Sequence, residues 1–266
     1  MPSPLDYLKF ADNTYSDPMQ PIPDGWELIH TEENKKTSYT GKVFIKKNKW
    51  PWEIVIAHKG SNDWKDFLID DVDIALKKMP PQFEDAKKLT EKIMKQFPLM
   101  YITQTGHSLG AFLAEVTAVN FGQKAVTFDG PGSAKQIDKI IKQKKSLGLK
   151  VPPPNITAYI SDPNLVNSAG TYLGRKGETI YLSGEKEKFS YNVLKGYKLA
   201  KEVHLTNHIY KYFDPKTGQP LTHCVMRKAD PIVRTYLPTP VSVENPLVDP
   251  ITRAKKNSEN LKTIFN

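Results

Sequence analysis

Ser108 stands between two glycines in Gly106-His-Ser-Leu-Gly110. A serine hydroxyl is a poor nucleophile at neutral pH. It needs an adjacent base, and the base needs an acid to orient it. The run Tyr101-Ile-Thr before the motif favours a strand. Phe112, Leu113, Val116 and Val119 after it recur at helical spacing. A strand that turns sharply into a helix presents the serine at the tip of the turn, and glycines on either side let the turn close. The chemistry this permits is nucleophilic acyl transfer. A Gly-bounded loop with an inert serine would read the same way, so the partners of Ser108 carry the decision.

Where a turn holds a serine in this manner, the chain order is serine, then acid, then histidine. Two aspartates compete for the acid: Asp129 follows Lys124-Ala-Val-Thr-Phe128, and Asp162 follows Ile156-Thr-Ala-Tyr-Ile160 and Ser161. Either can be a plain turn residue. The Gly130-Pro-Gly132 after Asp129 strengthens that reading there, so Asp162 is preferred. His204, His208 and His223 follow. His208 is preferred as the base because it opens a segment after an expected helix, where a loop can swing the imidazole over Ser108. His204 is the nearest rival. His107 adjoins the serine and should point away from it as a packing residue, and His58 comes too early in the chain. The oxyanion of a tetrahedral intermediate needs two fixed N–H donors. The backbone N–H of Leu109 is one. Ser61, in Lys59-Gly-Ser-Asn62, suits the other, although a simple Gly-Ser turn has the same residues. No metal or organic cofactor is required.

The elements must bring these residues to one edge. Lys42–Lys46 and Glu53–Ala57 are expected to be neighbouring strands. Gln82–Phe97 is a helix with Phe83, Ala86, Leu89, Ile93 and Phe97 in its apolar stripe. Leu99–Thr105 is the strand before the serine, Leu109–Phe121 the helix after it, and Lys124–Phe128 the next strand. Ala134–Lys145 is a basic helix that turns Ile137, Ile140 and Ile141 inward. Ile156–Ile160 and Thr179–Leu182 are further strands, and Ser190–Lys201 a helix. Strands alternating with helices imply a mostly parallel central sheet flanked by helices on both faces, the α/β-hydrolase arrangement. Loops at the carboxyl ends of such strands carry the chemistry. One domain is expected over residues 1–266, with 1–41 wrapping the core and about 237–266 a surface tail.

The 266 residues suffice for one large α/β domain. The single cysteine, Cys224, rules out an internal disulfide and is read as a spectator thiol. The N-terminus lacks a basic region followed by an apolar run, and no stretch has the length of a membrane-crossing helix. The default location is the cytoplasm, with signal-less export as the alternative. A net charge of +9 favours peripheral contact with anionic membranes. The lysines are scattered and no nucleic-acid motif is visible, so nucleic acid is not an expected partner. Oligomeric state is not legible.

On these motifs the chain resembles the class 3 (fungal-lipase-like) lipases. Gly106-His-Ser-Leu-Gly-Ala111 is similar to their nucleophile motif, with Ala111 where a further Gly is usual. His58-Lys-Gly-Ser-Asn-Asp-Trp-Lys-Asp66 is similar to their oxyanion segment, with Lys59 in place of Arg. Thr127-Phe-Asp-Gly-Pro131 is similar to a Thr-Phe-Gly-x-Pro strand end, with Asp129 in place of Gly. Ile160-Ser-Asp-Pro-Asn-Leu-Val166 is similar to the segment bearing the family's acid. The resemblance implies a serine hydrolase of lipid carboxylic esters, a lipase or phospholipase, with Ser108, Asp162 and His208 as triad and Ser61 and Leu109 at the oxyanion. It makes Asp129 the weaker acid. It also implies a lid over residues 61–80, which could equally be a helix packed on the core. Two other classes fit the residues: a hydrolase-like binding protein without turnover, and a thioesterase or other acyl hydrolase.

Overall fold

Along β3 (Glu53–His58) the side chains divide by alternation: Ile54 and Ile56 join one apolar cluster, Val55 and Ala57 another. A strand buried on both faces belongs in the middle of a sheet, which is what a continuous apolar run signals. The computed structural model describes residues 1–17, 19–60, 79–162, 164–168, 174–182, 205–221 and 224–226. The other strands are β1 (Glu27–Asn34), β2 (Tyr39–Lys46), β4 (Tyr101–His107), β5 (Lys124–Phe128), β6 (Asn155–Ile160), β7 (Glu178–Tyr181) and β8 (Cys224–Met226). They form one eight-stranded sheet in sequence order. β1, β2 and β3 pair antiparallel, β3 to β7 run parallel, and β8 adds antiparallel to β7. This is the mostly parallel α/β sheet that the sequence implies.

The helices are α1 (Pro4–Asn13), α2 (Gln82–Gln96), α3 (Leu109–Phe121), α4 (Ala134–Ser146) and the short α5 (Leu165–Ser168) and α6 (Thr206–Tyr210). Phe83, Leu89 and Ile93 of α2, Phe112 and Val116 of α3 and Ile137 and Ile140 of α4 share one core with Ile54 and Ile56. Leu5, Leu8 and Phe10 of α1 and Ile209 of α6 share the other with Val55 and Ala57. Helices therefore cover both faces. Every residue of α3 except Asn120 is buried, as a helix without a polar face must be.

Two expectations are revised. The strand before Ser108 starts at Tyr101 rather than Leu99, because Leu99 adopts a left-handed φ of 71° and pairing begins where Tyr101 N–H donates to the Trp52 carbonyl. Residues 1–41 are more than a wrap. They supply α1 and the edge strand β1. Ser3 caps α1: its Oγ accepts from Asp6 N–H at 3.2 Å and its own N–H donates to Asp6 Oδ2 at 2.9 Å. Ser61, most of the lid-like segment 61–80, the expected helix Ser190–Lys201, His204, His223 and the tail 237–266 lie outside the described residues. Among the described residues, no helix is long and apolar enough to cross a membrane.

Candidate active site

β4 runs straight into Ser108, whose backbone (φ 60°, ψ −128°) lies outside the regions an ordinary residue prefers, and α3 begins at Leu109. The surroundings hold this turn closed. Ser108 N–H donates to the Phe128 carbonyl at 3.1 Å. A Cβ on Gly106 would come within 2.3 Å of the Gly110 carbonyl oxygen, and one on Gly110 within 2.1 Å of the His58 carbonyl oxygen. Both glycines thus serve close backbone approach, as the sequence suggests. Ser108 is 8% exposed. Among the described residues no acceptor meets the N–H of Leu109, which opens the helix at its positive end.

The loop after β3 comes to the same place. A Cβ built on Gly60 would lie 3.2 Å from Ser108 Cβ, so the residue before Ser61 packs beside the serine. Tyr15 fixes this loop: its hydroxyl accepts from Gly60 N–H at 3.0 Å and donates to the His107 carbonyl at 3.2 Å. His107 Nδ1 lies 3.3 Å from the same hydroxyl and its ring packs edge-on to Tyr15, which is the packing role expected of it. His58 is buried between Tyr39 and Gln104, and burial lowers its pKa to about 4, so it stays neutral.

Asp162 and His208 are brought together across 46 positions, with Nε2 to Oδ2 at 2.7 Å. The outer ring nitrogen thus meets the carboxylate. Tyr212 donates to the same oxygen at 2.5 Å and Lys211 Nζ lies 3.4 Å from it. Burial works to raise the pKa of Asp162, but the bonds from Tyr212 and His208 and the charge of Lys211 outweigh it and hold the carboxyl below its usual range. His208 sits on α6, and α6 is tied to α1: Thr206 Oγ1 donates to Asp12 Oδ1 at 2.6 Å and Tyr210 Oη to Asp12 Oδ2 at 3.2 Å.

Asp129, the rival acid, has no hydrogen bond or ion pair with His208 and is buried against the residues that flank Asp162. It accepts from Ser161 N–H at 2.7 Å, Ser161 Oγ at 2.5 Å, Asn167 Nδ2 at 3.0 Å and Asn164 Nδ2 at 3.4 Å. Burial pushes its carboxyl up, against the pull of Ser161, Asn167 and the nearby Arg175. Glu115 on α3 is likewise pushed up by burial and accepts from Thr127 and Ser133. Among the described residues no cluster of His, Cys, Asp and Glu could hold a metal ion. Asp12, Tyr15, Tyr212 and the Asn164–Asn167 pair escaped the sequence reading. None of them carried a signal in residue type or spacing, and Tyr212 lies just past the end of α6.

The structure thus places Ser108 at a strained strand-to-helix turn with the Gly60 loop against it, and pairs Asp162 with His208 on later segments; no hydrogen bond joins His208 to Ser108 among the described residues. A family model for the phospholipase-like Tle-like phospholipase domain matches residues 7–168, most of the sheet. The chain belongs to this family. The match to the Tle-like phospholipase domain takes in Ser108, Asp129 and Asp162 and ends before His208. Uncharacterized protein RP165 of Rickettsia prowazekii (strain Madrid E) is 29% identical over 212 residues, 66% of this chain and 57% of that protein. The chain thus spans little more than half the length of that relative. Fungal lipases are similar in structure. Lipase II from Rhizopus niveus shows 13% identity and a TM-score of 0.49, covering 75% of this chain and 88% of its own. Rhizomucor miehei lipase in its propeptide complex shows 16% identity and 0.47, covering 68% and 67%.

Proposed function

We propose that this Tle-like phospholipase domain hydrolyses the carboxylic esters of lipids through Ser108, His208 and Asp162. The observation that carries the reading is the 2.7 Å pairing of His208 with Asp162, two residues on separate segments that each follow Ser108 in the chain. Ser108 Oγ attacks the acyl carbonyl. The His208 ring nitrogen not bonded to Asp162 takes the hydroxyl proton and returns it to the leaving alcohol. Asp162 holds the ring and stabilises its charged form. The N–H of Leu109, at the positive end of α3, and Ser61 after the Gly60 loop meet the oxyanion. Water then attacks the acyl-enzyme, with His208 again as base, and releases the fatty acid. The net charge of +9 favours substrate presented on an anionic bilayer.

Ser108→Ala tests this directly. The variant is expected to melt like the parent, to lose hydrolysis of a short p-nitrophenyl ester, and to resist labelling by a fluorophosphonate. Full hydrolysis by folded Ser108→Ala removes the mechanism. A screen of phospholipid and acylglycerol classes, with the same variant as blank, identifies the lipid.

A further inference from the structure

We infer that Asp129 is a positioning residue for the triad acid: its buried carboxylate fixes the loop from which Asp162 reaches His208. The inference rests on the triad reading above. Around Asp162, the polar groups of Ser161, Asn164 and Asn167 converge on one point beside the buried Val166. Asp129 Oδ1 accepts from Ser161 N–H and Asn167 Nδ2, and Oδ2 from Ser161 Oγ and Asn164 Nδ2. The two asparagines also donate to the main-chain oxygen of Asp162, from Asn167 at 3.0 Å and Asn164 at 3.2 Å. Each therefore bridges the carboxylate to the backbone of the residue it positions. Arg175 closes the arrangement, donating to the carbonyls of Gly130 at 2.8 Å and Asn167 at 2.7 Å.

Every partner of the Asp129 carboxylate is a donor, so the site wants an acceptor on both oxygens. Asp129 also sits at φ 47°, a backbone conformation that aspartate and asparagine tolerate better than most side chains. The left-handed position thus carries both the backbone conformation and the acceptor.

The test compares Asp129→Asn, Asp162→Asn and the parent on a short p-nitrophenyl ester. Asparagine keeps the backbone conformation but turns an N–H₂ toward donors. The expected loss in kcat is about 10- to 100-fold, the scale of a small misplacement of a reacting group, with KM unchanged. If Asp129 acts through Asp162, the double variant Asp129→Asn/Asp162→Asn should lose no more kcat than Asp162→Asn alone. Losses that multiply in the double variant reduce Asp129 to a structural residue and overturn the inference. So does loss to the Ser108→Ala level in Asp129→Asn beside an active Asp162→Asn, which would make Asp129 the acid itself. If Asp129→Asn does not fold, Asn167→Ala carries the test, since it cuts one bridge and leaves Asp129 bonded to Ser161. The same non-additivity with Asp162→Asn supports the inference, and multiplied losses overturn it. Activity in Ser108→Ala would instead break the triad reading, a result separable from all of these.

Discussion

At Asp162 burial and bonding pull in opposite directions, and bonding wins. One oxygen receives His208, Tyr212 and Lys211 together, so the carboxyl is held below its ordinary range. The sign for stability follows. With the folded pKa below the unfolded one, the charged carboxylate stabilises the fold above the unfolded value of about 3.9. That contribution disappears as pH falls through the lower, folded value. Thermal unfolding of the parent and Asp162→Asn, followed by circular dichroism, should show a gap in Tm at neutral pH that narrows below about pH 4. A gap independent of pH would show that Asp162 is not held in its charged form. The three donors lie within five residues of one another, at 208, 211 and 212, and 46 positions separate Asp162 from the first of them, so no local pattern of residue types announces the contact. The sequence reading could name Asp162 and His208 from chain order alone. It could not see Tyr212, whose hydroxyl matters through distance rather than type.

Among the elements, α6 is the least able to stand alone. It has five residues, and isolated helices below about 12 residues are marginal in water. It is held from outside. Thr206 and Tyr210, four apart and so on one face, both donate to Asp12 on α1. His208 lies between them in the chain and turns to Asp162. Asp12→Ala should therefore cost about 1.5–3 kcal/mol in urea unfolding, the range for a bond to a charged group. It should also lower kcat without raising KM; an unchanged kcat would show that α6 keeps its place without Asp12. The reading of elements from periodicity was borne out where burial is two-sided or striped, as at β3, α2 and α3. It was blind at α1 and β1. The composition of residues 1–41 is polar, and that average hides Leu5, Leu8 and Ala11, three apart, beside Phe10. β1 is an edge strand, with no buried residue in its pattern and so no alternation to read.

For the molecule as a whole, the sheet separates two cores, and the N-terminal segment belongs to the second. Phe10 is fully buried there, with ring centroids 4.9 Å from Trp26 and 4.8 Å from Phe44. Phe10→Ala should cost about 3–5 kcal/mol in chemical denaturation. A loss under about 1 kcal/mol would mean that α1 is a dispensable cover.

The strand order has a consequence for how the protein is made. Each strand lies beside the one translated just before it, from β1 to β8. The sheet can therefore grow outward as the polypeptide leaves the ribosome, with no gap held open for a later strand. The reactive groups arrive in the same sequence. On the proposed assignment a nascent chain has its serine, then its carboxylate, and only after β7 its histidine, so a chain that has not reached residue 208 lacks the base for ester hydrolysis.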